Sequence, residues 1–192
     1  YYENDSSKLN YNVTENYIEP MKLPQYYQAD DRWGAKRYGL SNMKLTGCVP
    51  TALAMAISGL KEDVNPVQVA DFLYVMTMEL NTTFLGTSSL GVQEVVSQWG
   101  LNYKVIDSKE ELEKTLKNGT LVYGAVGHGI FVNGYSTHAV LLTGYENGKT
   151  KAFDPDNMAK TNKWYNIDDI WKERSLAPED NMTGGAFIAI YK

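Results

Sequence analysis

The sequence predicts an α+β domain in which helices come first and an antiparallel sheet follows. Apolar residues recur at helical spacing in several segments before Gly119, whereas the later segments are short, apolar and rich in β-branched and aromatic residues. Asn147-Gly148, between two of these later segments, is a strong signal for a tight hairpin turn. Helices followed by strands are typical of α+β folds, and we expect the sheet to pack against the opening helix.

The first two helices are predicted from their start and stop signals. Pro50 suits a first helical turn, and residues 51–60 carry apolar side chains at helical spacing before the charged residues 61–63. Cys48 is therefore expected just ahead of a buried helix. The next helix is predicted to start at Pro66, with Asn65 as its cap.

The remaining elements follow in the same way. A third helix is predicted over residues 89–99, and Ser108 with Glu111 forms a capping box for a fourth helix that ends near Gly119. The predicted strands cover residues 121–126, 138–145, 150–154 and 185–191.

Composition limits the classes of partner. The net charge is -5 and the basic residues are scattered, so nucleic acid is not expected as a partner. No apolar stretch approaches the roughly 20 residues that cross a bilayer. The single cysteine excludes an internal disulfide and any metal site that needs two thiolates, and no metal or organic cofactor is expected. A monomer is the expected oligomeric state.

The chain divides near Pro20. Residues 1–20 are rich in Asn, Tyr, Ser, Asp and Glu and are predicted to form a flexible polar tail, whereas residues 21–192 form the predicted folded domain. The chain begins at Tyr1, so the tail is interpreted as what remains after an export signal is removed, and the protein is expected to be secreted or held at the cell surface.

Cys48 is the candidate nucleophile. A thiol acts as a nucleophile in its thiolate form, which the N–H groups and the dipole at the start of a helix stabilise. A buried, inert cysteine is the alternative interpretation. The position of Cys48 ahead of a predicted helix favours a reactive thiol over a buried, inert one.

Two histidines could serve as the base. His138 opens a predicted strand, which would hold its ring rigidly, whereas His128 lies in a glycine-flanked loop and is expected at the rim of a cleft. Asp154 ends the strand that the hairpin pairs with that of His138, so it is the candidate for orienting the ring. Asp156 is its rival, since Asp-Pro-Asp is also an ordinary turn sequence.

Several blocks, in order, resemble cysteine peptidase family thirty-nine, best known for bacteriocin-processing, double-glycine leader peptidases. The blocks are Gln28-Ala-Asp-Asp-Arg-Trp, Tyr38-Gly39, Gly47-Cys48-Val49-Pro50-Thr51-Ala52-Leu53-Ala54-Met55, His138-Ala-Val-Leu-Leu-Thr-Gly-Tyr and Phe153-Asp154-Pro155. The resemblance extends from Leu23 to Lys192. It is closest to the free-standing, exported branch of Gram-positive bacteria, because no transporter segments follow.

The resemblance implies a papain-like fold with Cys48, His138 and Asp154 as a catalytic triad. It further implies that Gln28 supplies an oxyanion-hole donor, with Gln25 as a weaker candidate. The sequence departs from the family at Val49, where glycine is usual after the cysteine, so the backbone beside the oxyanion hole is expected to differ slightly.

The leading hypothesis is therefore a cysteine peptidase that hydrolyses a peptide or protein substrate through an acyl-enzyme. A cell-wall peptide amidase or acyl transferase could use the same residues. A surface binding module without turnover is the third hypothesis, and the four retained side chains argue against it.

Overall fold

A computed structural model describes residues 16–76 and 87–192. The α-helices are α1 Met43–Thr46, α2 Cys48–Leu60, α3 Pro66–Met76, α4 Ser89–Gln98, α5 Lys109–Lys117 and α6 Ile167–Lys172. The strands are β1 Tyr17–Ile18, β2 Arg37–Tyr38, β3 Ser41–Asn42, β4 Asn102–Ile106, β5 Leu121–Val126, β6 His138–Glu146, β7 Lys149–Phe153, β8 Lys163–Asn166 and β9 Phe187–Tyr191. A short 3-10 helix covers Pro178–Asp180. This order confirms the predicted α+β class.

The main sheet is antiparallel, with the strand order β4-β9-β5-β6-β7-β8. Strand β1 pairs with the end of β6, and β2 and β3 form a separate small sheet. All residues of β5 and β9 are buried. Because successive side chains of a strand point to opposite faces, this burial means that both faces of the central sheet are covered.

Helix α2 is the central helix of the core. Its residues 52–57 are at most 1% exposed, and it contacts α3, α4 and strand β6. A helix that is apolar all round its middle turns is stable only where neighbours enclose it. Its Cys48 end lies beside His138, the first residue of β6. No described helix is long and apolar enough to cross a membrane.

The predicted caps are present. The Asn65 side chain accepts a hydrogen bond from the N–H of Gln68, and the Gln68 side chain accepts one from the N–H of Asn65, which together close the start of α3. Ser108 accepts a hydrogen bond from the N–H of Glu111 at the start of α5. The Glu111 side chain accepts a hydrogen bond from the N–H of Asp107. Asn65 and Ser108 each satisfy an N–H group that a helix start leaves unpaired.

The β6–β7 hairpin turns at Asn147 and Gly148, which both have positive φ, as a tight primed turn requires. The ladder shifts register between Thr143 and Glu146, where Gly144 also has positive φ. A side chain at Gly144 would meet Pro20, so this glycine lets the segment after β1 pass close to β6.

Some boundaries differ from the predicted ones. Helix α2 begins at Cys48 itself rather than after it, and β7 ends at Phe153, one residue before Asp154. Residues 1–15 of the predicted tail lie outside the described residues, whereas Tyr17 and Ile18 pair with β6. The division into tail and domain stays a prediction.

Candidate active site

Cys48 is the first residue of α2, and its free thiol is partly exposed. Gly47 brings the chain from α1 into α2, and its N–H donates to the carbonyl oxygen of Met43 over 2.9 Å. A Cβ at position 47 would lie only 2.5 Å from that oxygen, so glycine is required for this close approach. The tight turn places the thiol at the helix end where N–H groups and the dipole favour a negative charge.

His138 opens β6, opposite Val126 of β5. Its side chain is 11% exposed, and its Nε2 lies 2.7 Å from Oδ1 of Asp154, which is fully buried. The hairpin at Asn147-Gly148 brings both residues to the same end of the β6–β7 pair. Since Nε2 meets Asp154, Nδ1 is the ring nitrogen left for the Cys48 thiol.

Asp154 is held by the turn that follows it. Its Oδ1 also accepts hydrogen bonds from the N–H groups of Asp156, at 2.8 Å, and Asn157, at 3.2 Å. Asp156 itself is exposed, so it contributes its backbone to the Asp154 carboxylate. Of the two candidate carboxylates, the structure brings Asp154 into contact with His138.

His138 interacts with both Asp154 and Cys48. Burial by itself disfavours a charged imidazole ring, but the hydrogen bond with Asp154, the interaction with the nearby Cys48 and the negative charge of Asp154 raise the pKa of His138 to about 10. The ring is therefore an imidazolium at neutral pH when it faces a thiolate. Cys48, His138 and Asp154 form one electrostatically coupled group.

Gln28 is buried beside this group, with 4% of its surface exposed. Its backbone N–H donates to the carbonyl oxygen of Pro155 over 2.8 Å, and its side-chain Nε2 donates to the carbonyl oxygen of Lys44 over 2.9 Å. Its Oε1 is buried and has no partner among the described residues. Gln28 thus joins the turn after Asp154 to the chain that leads into Cys48.

The Gln25 side chain bonds to Asp154, whereas the Gln28 side chain bonds to Lys44. Its Nε2 donates to the carbonyl oxygen of Asp154, at 3.2 Å, and to that of Tyr26, at 3.1 Å. Its Oε1 accepts a hydrogen bond of 2.7 Å from Thr161 Oγ1, which in turn accepts one of 2.9 Å from the N–H of Asp154. Both ends of the Gln25 amide therefore hold the backbone of Asp154.

His128 is exposed in the loop between β5 and β6, as its flanking glycines predict. The N–H of Gly134, in the same loop, donates to its Nδ1 over 3.2 Å. The structure thus brings His138, and not His128, to Asp154. A position of His128 at the cleft rim stays a prediction.

Sequence reasoning missed several polar residues of this region. Thr161 is one, and a second set lies in a small cavity that also contacts Cys48 and His138, among them Tyr123, Glu179 and Asp180. None of these belongs to a sequence motif. Thr161 lies 7 residues after Asp154, whereas Glu179 and Asp180 reach the cavity from a later segment. Within the described ranges, no group of three or more His, Cys, Asp or Glu residues is arranged to hold a metal ion.

The sequence of residues 21–183 matches the model of the Peptidase_C39 like family. No curated protein matches the chain in sequence. Among solved structures, a protein from Bacillus anthracis assigned as a C39-like peptidase is similar with a TM-score of 0.61 and 16% identity, over 91% of this chain and 98% of the other.

Two further structures are similar. The peptidase domain of Streptococcus ComA, a bi-functional ABC transporter of a quorum-sensing pathway, has a TM-score of 0.54 and 18% identity, over 82% of this chain and 96% of that domain. A double glycine motif protease from an AMS/PCAT transporter, in complex with the leader peptide, has a TM-score of 0.53 and 18% identity, over 93% of this chain and 97% of the other. At these identities the likeness shows the fold.

Proposed function

This chain belongs to the Peptidase_C39 like family, and from that premise we propose that it is a cysteine peptidase with Cys48 as nucleophile. His138 is the base in this proposal, Asp154 orients the His138 ring, and Gln28 assists at the oxyanion hole. The substrate is a peptide or protein. One similar structure, a double glycine motif protease, is bound to a leader peptide, which supports a peptide as the substrate class.

One observation carries the proposal: the buried ring of His138 contacts Asp154 through Nε2 and interacts with Cys48. A nucleophile, a base and a group that orients the base are the parts that acyl transfer needs. A raised pKa of His138 keeps a proton on the ring beside the thiolate. That proton is the one the leaving amine must receive.

In the proposed first step, the Cys48 thiolate attacks the carbonyl carbon of the cleaved bond, and a C–S bond forms as the carbonyl π electrons move to oxygen. The imidazolium of His138 then gives its Nδ1 proton to the amide nitrogen, the C–N bond breaks, and the amine product leaves. A thioester on Cys48 remains.

In the second step, His138 removes a proton from water, and the resulting hydroxide attacks the thioester carbon. The C–S bond breaks, the thiolate of Cys48 is restored, and a carboxylic acid leaves. Asp154 stabilises the imidazolium each time it forms, because its carboxylate accepts the Nε2 proton in a hydrogen bond.

The oxyanion of both steps needs donors in place before charge develops. The backbone N–H of Cys48 lies at the start of α2, where N–H groups have no partner within the helix. The side-chain NH₂ of Gln28 carries two donors, and the bond to Lys44 uses one. We assign the second N–H of Gln28 to the oxyanion.

The test is digestion of a peptide library in water enriched in oxygen-18, with the Cys48→Ala protein as control. We expect new amino termini and new carboxyl termini that carry the heavy oxygen, and no products from Cys48→Ala. Products that require an added amine and lack the heavy oxygen would support acyl transfer instead. Equal cleavage by both proteins, or by neither, would contradict the proposal.

A further inference from the structure

A small cavity of about 40 Å³ opens beside the Cys48 thiol and the His138 ring. Its walls include Tyr123 from β5, Thr137 just before β6, and the end of the 3-10 helix Pro178–Asp180. The volume exceeds that of a single bound water and accommodates an ammonium group with its last methylene. A group bound here lies against the nucleophile, so the cavity belongs to the substrate path of the proposed peptidase.

Two acidic residues line this cavity, Glu179 and Asp180. Asp180 is 7% exposed, and Ser175 Oγ donates a hydrogen bond of 2.5 Å to its Oδ2. Glu179 is partly exposed, and no donor in residues 16–76 or 87–192 forms a hydrogen bond with its carboxylate. Asp180 therefore has a structural partner, whereas the Glu179 carboxylate is available to a ligand.

The charges of the cavity do not balance. Among the described residues that line it there is no Lys or Arg, and the protonated ring of His138 is already paired with Asp154. Burial raises the pKa of Asp180, the hydrogen bonds from Ser175 and Thr137 oppose that rise, and the negative charge of Glu179 adds to it. A cation in the cavity would relieve the repulsion between the two carboxylates.

We propose that this cavity is a subsite for an ammonium group of the substrate, such as a lysine side chain near the cleaved bond, and that Glu179 is the residue that selects it. The proposal rests on the proposed function, since it names the substrate class of the same site. Asp180 supports the negative field of the subsite and, through Ser175, holds the segment that carries Glu179.

The first test needs no turnover, because Cys48 is the only cysteine. Three methanethiosulfonates with the same leaving group are compared in their labelling of Cys48: the cationic 2-aminoethyl, the neutral ethyl and the anionic 2-sulfonatoethyl reagent. The rate ratio of the cationic to the anionic reagent, each normalised to the neutral one, measures the field at the thiol independently of its intrinsic reactivity. The readout is the mass of the intact protein against time.

The variant is Glu179→Gln, and the matched control is Glu62→Gln. Glu62 is exposed beyond the far end of α2, about 20 Å along the helix axis from Cys48, so the control removes the same charge from elsewhere on the protein. We expect the ratio to fall about fivefold in Glu179→Gln, as loss of a nearby partly screened charge would produce, and to stay unchanged in Glu62→Gln. The same ratio in all three proteins would overturn the subsite.

The second test compares peptides that carry lysine or its neutral analogue norleucine at each position flanking the cleaved bond. We expect kcat/KM to be about tenfold higher for lysine at one position, with this preference lost in Glu179→Gln and kept in Glu62→Gln. If peptides are cleaved without any preference for lysine, the subsite proposal is wrong and the peptidase proposal is retained. If no peptide is cleaved but the labelling ratio falls in Glu179→Gln, the subsite proposal is retained and the peptidase proposal is wrong.

Discussion

The hydroxyl of Thr161 holds the backbone of Asp154. The N–H of Asp154 donates to Thr161 Oγ1 over 2.9 Å, and the same hydroxyl donates to Gln25 Oε1 over 2.7 Å. The Gln25 amide donates in turn to the carbonyl oxygen of Asp154 over 3.2 Å. Because these two side chains hold both backbone polar groups of Asp154, we infer that Thr161 and Gln25 position the carboxylate that contacts His138.

Thr161→Val tests this inference, because valine keeps the shape of threonine and removes the hydroxyl. The buried N–H of Asp154 and the Oε1 of Gln25 each lose a partner, so the free energy of unfolding should fall by about 1–3 kcal/mol. If Thr161 positions the catalytic group, kcat should also fall while KM changes little. Urea unfolding and steady-state kinetics measure the two effects.

The matched control is Thr115→Val in α5. Thr115 is fully buried, and its Oγ1 has no hydrogen-bond partner among the described residues, so its loss should leave stability unchanged or slightly raised. Equal destabilisation by the two substitutions would show that the Thr161 hydroxyl has no specific role.

Asp154→Asn should lower the pKa of His138 from about 10. The amide keeps the size of the side chain but removes the negative charge and the strong acceptor at Nε2, while burial continues to disfavour the imidazolium. The two histidines give separate proton resonances of the imidazole ring, so NMR titration follows His138 directly.

Asp156→Asn is the control for that titration. It removes the same charge two residues away, but Asp156 contacts the Asp154 carboxylate through its backbone N–H, which the substitution retains. The titration of His138 should therefore be nearly unchanged. A larger effect from Asp156→Asn than from Asp154→Asn would show that the wrong carboxylate is assigned.

Local signals in the sequence were sufficient for the elements that carry the candidate triad. Gly47 and Pro50 mark the start of α2, and Asn147-Gly148 fixes the β6–β7 hairpin that brings Asp154 to His138. These signals could not decide whether Asp154 or Asp156 contacts His138. Continuing the β6–β7 register beyond Leu141 and Phe153 would put Asp156 opposite His138, whereas in the structure Asp154 contacts the ring.

Elements that depend on distant partners were missed. Strand β4 has a partly buried, polar sequence and is defined by pairing with β9 at the other end of the domain, and β8 is an edge strand with little apolar alternation. Glu179 reaches the cavity because its segment folds against β5, where Ser175 donates its N–H to the carbonyl oxygen of Ala125. Such contacts depend on tertiary packing, which carries no local sequence signal.

The stability of the fold should depend on pH through His138. Its pKa is about 10 in the folded protein and near 6.5 for an unperturbed histidine, so the folded state binds the proton more tightly. The stabilisation is fully present below about pH 6.5 and is lost as pH rises towards about 10. The free energy of unfolding should therefore decline over this range.

The measurement is best made in Cys48→Ala, which removes the titration of the thiol from the profile. The hydrogen bond to Asp154 remains in that protein, so the decline should be smaller but of the same sign. Adding His138→Phe to this protein should abolish the part of the decline in unfolding free energy that comes from the histidine. An unfolding free energy that stays constant from pH 6.5 to 10 in Cys48→Ala would contradict the assigned ion pair.

Gln28 and Gln25 should be separable by comparing turnover with alkylation. Alkylation of Cys48 by iodoacetamide needs the thiolate and the His138 pair but forms no oxyanion, whereas peptide hydrolysis needs an oxyanion donor as well. Gln28→Ala should therefore lower kcat by about 10²–10³-fold and leave the alkylation rate within a few-fold of that of the wild type.

Gln25→Ala should behave differently, since both ends of its amide hold the backbone and the partner of Asp154. Its loss disturbs the Asp154 carboxylate and, through His138, the thiolate, so turnover and alkylation should fall together. Thermal unfolding of both variants separates these effects from a general loss of structure. If Gln25→Ala spared alkylation and lost turnover while Gln28→Ala lost both, the oxyanion donor would be Gln25, and the contact of Gln28 with Lys44 would be structural.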